Sequence, residues 1–307
     1  MKLVHHLSEL GQAGRKVCLA IGFFDGVHLG HQQIIRQTTS DARQHEALSL
    51  IVSFDRHPST VLAPDRAPAL IYSLSQKLRV IDTMAVDVVL LIHFDKEFSQ
   101  LSGEEFVSML VRGAGQVRSI CVGANFVFGH NRGGTVELLR RLGSELRFAV
   151  HGLAAVSLDG KAVSSTRIRQ AIAGGNLDAA SQMLGRAYSL AAKVIAGDKL
   201  GRQLGFPTAN MDIAGLVLPP KGVYAAHAKT AAGLHRAVVN IGSRPTLQNP
   251  KPRLCVEAHL LDFSGDLYEQ DLELTFLDKL REEKKFPSLD ELRHQIARDI
   301  QEAQLKF

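Results

Sequence analysis

The 307-residue sequence predicts two architectures in one chain. The first is α/β, a parallel sheet with helices on both faces; the second is a small antiparallel β-barrel followed by a terminal helix. Two observations predict this. Up to about residue 185, nearly continuous apolar runs alternate with helix-length stretches. From about Tyr188, short strand-like runs follow one another with turn residues between them and no helices. The boundary is placed near residue 186, giving domains 1–185 and 186–307, with no internal repeat and no low-complexity linker.

In the first part, Val17–Ile21, Ala47–Phe54, Asp87–Phe94, Val117–Val122 and Arg147–Gly152 read as buried strands. Helices are expected between them at Gln32–Gln44, Gln76–Met84, Gly103–Arg112 and Thr135–Leu142. A helical pair follows, "SSTRIRQAIAGG" and "NLDAASQMLG", divided by Gly174-Gly175 with Asn176 as a cap. The barrel strands are expected at Ser189–Ala196, Thr208–Ile213, Gly222–Thr230, His235–Ile241, Leu254–Asp262 and Asp271–Leu277. In the last segment Ser288 and Glu291 are spaced as a capping box, and Leu289, Leu292, Ile296 and Ile300 recur at helical spacing.

Composition narrows the function classes. Hydrophobic content of 45% and charged content of 22% are those of an ordinary globular protein. The most apolar stretch, "VDVVLLIHF", is strand-sized, so no membrane span is expected. The opening "MKLVHHLSEL" lacks the apolar core and cleavage site of a signal peptide. Cys18, Cys121 and Cys255 each lie in an apolar run and read as buried thiols of a reducing, cytoplasmic compartment. The net charge of +5 fits either nucleic acid or small polyphosphate substrates. Scattered Lys and Arg, no Trp and only 6% aromatics make nucleic acid the weakest reading, and none is expected as a partner.

The stretch "AIGFFDGVHLGHQQII", Ala20 to Ile35, carries the first chemistry. A strand ends in Gly22 and a helix starts near Gly30. Glycines such as Gly22 and Gly26 let backbone approach a ligand, and a helix start offers free N–H groups with partial positive charge. His28 and His31 are three apart and can face the same way there. Two imidazoles at such a point suit a triphosphate whose charge shifts during reaction. A tight turn with two surface histidines is the plain alternative.

This segment resembles the H-x-G-H signature of nucleotidylyl transferases. "GFFDGVHLGH" is most similar to the form in the adenylyltransferase half of bacterial bifunctional riboflavin kinase/FAD synthetases. "ANFVFGHNRGG" and "SSTRIR" resemble two further segments of that family, in the same order. The resemblance implies a Rossmann-like nucleotidylyltransferase fold for residues 1–185. It implies ATP contacts at Gly22, Phe23, Asp25, Gly26, His28, His31, Ser164, Ser165, Thr166 and Arg167, with His28 and His31 catalytic. It places His57, Pro58, Asn125, Phe126 and Phe128 in a flavin pocket. Two hydroxyls before Arg167 and Arg169 at a helix start agree with phosphate contact, although Ser-Ser-Thr is also an ordinary N-cap. One departure is "FDRHP", with Arg56 where the family usually has proline. Asp55 reads equally as a loop cap.

The second part carries "GDKLGRQLGFPTANM". Thr208 and Asn210 are two apart, so on a strand their oxygens share one face, a hard pair suited to Mg²⁺ on a nucleotide. Gly201, Arg202 and Gly205 would form a cationic phosphate loop. In "LCVEAHLLDF", Glu257 and His259 share one face while Leu254, Val256, Ala258 and Leu260 share the other. Glu257 is a candidate general base, or a surface carboxylate. These segments, with "PPKGVYA", "VNIGSRPT" and the tail "LREEKKFPSLDELRHQIARD", resemble riboflavin kinase throughout. The resemblance implies that Thr208 and Asn210 hold Mg-nucleotide and that Glu257 activates the riboflavin 5′-hydroxyl. A smaller departure is Glu269, where the family commonly has glycine. No Walker A sequence occurs. The expected activities are phosphorylation of riboflavin to FMN and adenylylation of FMN to FAD, both from ATP. Riboflavin, FMN and ATP are the expected partners, with self-association left open.

Overall fold

Alternate residues of each apolar run in the first part go to opposite sides of one sheet. Leu19, Ile21, Leu50 and Val52 pack on one side with Phe106, Leu110 and Leu139. Ala20, Ile51 and Val89 pack on the other with Ile34, Ile35 and Ile81. Both faces are covered, so the strands are apolar throughout. The computed structural model describes residues 1–10, 15–246 and 249–307, with backbone alone at 244–246 and 249–253. The side chains of Arg244, Pro245 and Thr246 in "VNIGSRPT" therefore lie outside the described residues.

Two compact units make up the chain: residues 1–69 with 74–165, and residues 70–73 with 166–307. The first contains β1 (Lys2–Val4), β2 (Lys16–Ile21), α1 (Leu29–Gln44), β3 (Leu48–Phe54) and α2 (Pro58–Leu62). Then come α3 (Leu74–Asp82), β4 (Val88–Ile92), α4 (Gly103–Ala114), β5 (Gln116–Gly123), α5 (Val136–Leu146) and β6 (Ala149–Leu153). A hairpin, β7 (Ser157–Leu158) and β8 (Lys161–Ala162), precedes the end of the unit. The main sheet has the order β1-β4-β3-β2-β5-β6, and every pairing is parallel. Helices α4 and α5 start where side chains satisfy their free N–H groups: Ser102 with Glu105 forms a reciprocal capping box on α4, and Thr135 caps α5.

Helix α6 (Ser165–Ala173) leads into the second unit, followed by α7 (Leu177–Leu184), which Asn176 caps as expected. The barrel comprises β9 (Ser189–Ile195), β10 (Ala209–Met211), β11 (Gly222–Thr230), β12 (Gly233–Thr246), β13 (Asn249–Leu260) and β14 (Asp271–Arg281). A short helix, α8 (Leu200–Gln203), interrupts the strands, correcting the expectation that this region has none. Four residues are too few for a helical period to register in sequence. The strands close in the order β10-β13-β12-β11-β14-β9, all antiparallel.

The terminal helix α9 (Leu289–Gln304) is capped by Ser288, whose Oγ accepts from the Glu291 N–H at 3.2 Å. Its most buried column is Gln295, Asp299 and Ala303, while Leu289 is 58% exposed. The expected apolar seam is thus rotated toward polar residues, because partners on β14 and the following segment satisfy them.

Candidate active site

Strand β2 is the switch point of the sheet, with β3 and β4 on one side and β5 and β6 on the other. Ligands of open α/β sheets bind outside the strand ends at such a point. The chain leaves β2 there and turns through Gly22–Val27 into α1. A Cβ on Gly22 would lie 3.0 Å from the Phe24 ring, and Gly26 has φ 74°. Side chains are poorly tolerated at both positions, which is what the glycines of the motif supply. Asp25 is only 3% exposed.

His28 caps α1. Its Nδ1 accepts from the His31 N–H at 3.4 Å, which places the proton of the neutral ring on Nε2. The two rings stack with centroids 3.6 Å apart, and His31 meets the edge of Phe24 at 5.3 Å. The three-residue spacing does bring both imidazoles to one side of the helix start. Ser165 Oγ donates to the Asp25 carbonyl at 3.1 Å, so one hydroxyl of "SSTRIR" is tied to this loop. Ser164 precedes it, and Thr166 and Arg167 follow in the first turn of α6.

Beyond β3, His57 caps α2 through Nδ1, which accepts from the Ser59 N–H at 3.1 Å, and Pro58 opens the helix. The His57 ring stands edge-on to Phe23 at 4.8 Å, so a residue of the expected flavin pocket touches one of the expected ATP loop. Asp55 accepts from the Phe94 N–H at 3.1 Å and pairs with His93 at 2.7 Å and Arg56 at 3.4 Å. Burial pushes its carboxyl upward, but these partners outweigh it and hold the group below the ordinary carboxylate value.

Asn125 is exposed and Phe126 half-buried. Phe128 is 9% exposed and stacks on Phe126 with centroids 5.3 Å apart. Both join a row of rings running from Phe54 through Phe94, Phe98 and Phe106, and Phe128 itself belongs to the core. Sequence reasoning passed over that row, which is scattered over several elements, and over Lys77 on α3. Lys77 shares the buried face of α3 with Ile81, and Ser53, a lone hydroxyl at the end of β3, lies within reach of it.

In the barrel, β10 places Asn210 opposite Glu257, and β12 places Asn240 opposite the same carboxylate. Thr208, Asn210 and Glu257 line one cavity of about 770 Å³. Two glycines let the preceding loop close on it. A Cβ on Gly197 would fall 2.2 Å from the Asn210 amide nitrogen, and one on Gly201 would fall 2.4 Å from the Phe206 carbonyl. Gly205 turns the chain at φ 88°, and Arg202 is exposed on α8. His259 Nδ1 donates to the Pro207 carbonyl at 2.8 Å, tying the segment before Thr208 to β13. Arg281 and Asp299 line the same cavity and form a bidentate pair, Nε to Oδ1 at 2.8 Å and Nη2 to Oδ2 at 2.7 Å.

Comparison with known proteins assigns both units. A family model described as FAD synthetase matches residues 11–167, and one described as riboflavin kinase matches residues 184–307. The "Bifunctional riboflavin kinase/FMN adenylyltransferase" of Escherichia coli K12 is 38% identical over 304 residues, covering 97% of this chain and 96% of its own. The protein of the same name from Haemophilus influenzae is 35% identical, covering 100% and 99%. Among solved structures, the crystal structure of a "Macrolide-efflux Protein" from Streptococcus pneumoniae matches with a TM-score of 0.81 at 27% identity, covering 98% of both chains. Among the described residues of the present chain, no helix is long and apolar enough to cross a membrane. The chain belongs to the family of bifunctional riboflavin kinase/FMN adenylyltransferases.

Proposed function

We propose a division of labour in which residues 186–307 make FMN and residues 1–185 convert it to FAD. The chain is a bifunctional riboflavin kinase and FMN adenylyltransferase, and ATP is co-substrate of both reactions. The observation that supports the residue assignments is the position of each nucleotide motif in its own fold. The Gly22–His31 loop leaves the switch point of the sheet, and Thr208, Asn210 and Glu257 meet in the barrel cavity.

In the kinase reaction the riboflavin 5′-hydroxyl attacks the γ-phosphorus of ATP, its proton passes to Glu257, and ADP leaves. Gly201, Arg202 and Gly205 hold the phosphates. The hard oxygens of Thr208 and Asn210, beside the Glu257 carboxylate, fit Mg²⁺ when phosphate and water complete its shell, and Gly197 and Gly201 let the loop pack directly against Asn210 and Thr208. Mg²⁺ bound there would neutralise phosphate charge.

In the second reaction a phosphate oxygen of FMN attacks the α-phosphorus of ATP and pyrophosphate leaves. No protein nucleophile is needed, so the chain contributes alignment and charge stabilisation. His28 offers its Nε2 proton, with His31 stacked beside it. Gly22, Phe23, Asp25 and Gly26 shape the loop, and Ser164, Ser165, Thr166 and Arg167 add hydroxyls and a guanidinium. His57, Pro58, Asn125 and Phe126 receive the flavin, with Phe128 supporting Phe126 from the core. The buried thiols of Cys18 and Cys121 fit a reducing compartment, and a cytoplasmic location completes this reading.

The test is to incubate the protein with riboflavin, ATP and Mg²⁺ and separate the flavins over time. Transient FMN followed by FAD is the expected course; FMN alone would remove the assignment of residues 1–185.

A further inference from the structure

The loop that carries the adenylyltransferase motif rests on a buried ammonium. Lys77, on α3, is 3% exposed. Its Nζ donates to the Phe23 carbonyl at 3.1 Å, to Ser53 Oγ at 3.2 Å and to the Phe54 carbonyl at 3.1 Å. All three donors are used, and all three acceptors are uncharged oxygens at the ends of the neighbouring strands β2 and β3. Ser53 Oγ also donates to the Phe23 carbonyl at 3.2 Å, and the ammonium lies 4.3 Å from the centroid of the Phe23 ring. The same ring receives His57 on edge.

Burying an ammonium among neutral oxygens is costly, and uncharged donors could staple two strand ends at lower cost. The carboxylates of Asp25 and Asp55 already favour this charge, and the ammonium also holds the Phe23 carbonyl of the loop to which a polyphosphate would bring further negative charge. We propose that Lys77 is a positioning residue for adenylyl transfer: it fixes the path of Gly22–Phe24 toward His28 and His31, and adds a desolvated positive charge beneath the site that receives the triphosphate. The inference rests on the assignment of that site to the Gly22–His31 loop.

Burial pushes the Lys77 ammonium down to about 8, with Asp25 and Asp55 opposing the shift. Asp25 faces it from the turn after β2. Asp55, which carries His93 and Arg56, faces it from the loop after β3, and His57 reaches it through Phe23. Because the shift is downward, the unfolded chain holds a proton between about pH 8 and the ordinary lysine value of 10.5 that the folded chain has released. This group's contribution to stability therefore rises with pH across that window, and a rate that falls there is not unfolding driven by Lys77.

The experiment uses the full chain with Lys77→Met, measuring FAD formation from FMN and ATP, with riboflavin phosphorylation by the same preparation as reference. At about pH 7 we expect FAD formation to fall about 30-fold, somewhat less than for loss of a donor that touches the phosphate, with riboflavin phosphorylation unchanged. Wild-type FAD formation should also decline toward about pH 9.5 with a midpoint near 8, a step that Lys77→Met lacks. FAD formation within about threefold of wild type at pH 7, or parallel pH profiles, overturns the inference. Should Lys77→Met not fold, Lys77→Gln, which keeps donors for the strand-end oxygens without the charge, decides on the same readouts: loss of FAD formation with riboflavin phosphorylation kept supports it, and FAD formation within about threefold of wild type removes it. His28→Ala run in parallel separates the two failures. If it keeps FAD formation, the site assignment falls; if it loses FAD formation while Lys77→Met does not, only the role of Lys77 falls.

Discussion

His28 and His31 are coupled twice: the His28 Nδ1 accepts the His31 N–H, and the two rings stack at 3.6 Å. The cap fixes which nitrogen of His28 carries the proton, so one contact serves both helix and site. The two roles can be separated. His28→Ala removes cap and donor together, and FAD formation from FMN should fall about 10²–10³-fold with riboflavin phosphorylation unchanged. His28→Asn restores a good N-cap acceptor without the Nε2 proton. Thermal unfolding should then return toward wild type while FAD formation stays low. Recovery of both would make His28 a cap and nothing more.

Glu257 faces Asn210 on one neighbouring strand and Asn240 on the other, inside the barrel cavity. Glu257→Gln keeps size and hydrogen bonding but cannot take the 5′-hydroxyl proton. Riboflavin phosphorylation should fall about 10²–10⁴-fold, and FAD formation from supplied FMN should not change. Separation of flavins after incubation with either substrate reads both activities. Loss of both in a folded variant would break the division of labour.

Long periodic elements were legible, short ones were not. The strand expected at Val17–Ile21 runs Lys16–Ile21, and the alternation in "LCVEAHLL" does bury Val256, Ala258 and Leu260, though not Leu254, which is 43% exposed, while Glu257 faces the cavity. Strand β1 has three residues and α2 has five, too few to show a period. The stacked histidines followed from spacing, but the cap that orients His28 needs the turn's backbone angles. Lys77 was hidden because a lysine on an amphipathic helix normally reads as solvated. What buries it is a cluster of acceptors contributed by two strand ends that are far from it in sequence. On α9 the leucine and isoleucine spacing did announce the helix, but not its most buried residues: Gln295 and Asp299 are buried because Lys284 and Arg281 meet them.

Glu269, one of the two departures from the family pattern, has φ 61° in a turn before β14. A side chain there carries left-handed strain that glycine does not, about 1 kcal/mol. Its ion pair with Lys193 is exposed and spans 3.5 Å, so it returns little. Glu269→Gly should therefore raise the resistance of the barrel to denaturant, read as a higher midpoint for loss of riboflavin phosphorylation, with both activities unchanged in buffer. A lower midpoint would mean that the lysine contact outweighs the strain.

Arg281 and Asp299 hold α9 against β14, and the contact extends along the helix. Gln295 Nε2 donates to Asp299 Oδ1 at 2.8 Å, and Lys284 Nζ donates to Gln295 Oε1 at 2.7 Å. Asp299 is 2% exposed, and these donors satisfy the oxygens that water does not reach. Asp299→Ala strands Arg281 without its partner, and breaking such a buried pair from one side costs about 3–5 kcal/mol. Because Arg281 keeps some contact with water, the lower end, about 3 kcal/mol, is expected. The loss should appear as a lower denaturant midpoint for riboflavin phosphorylation, with the midpoint for FAD formation from FMN as the internal reference. Since Arg281, Lys284 and Asp299 all line the barrel cavity, the Michaelis constant for riboflavin should rise as well. An unchanged midpoint would show that α9 is held by its apolar contacts, Ile300 and Ala303 among them, without need of the ion pair.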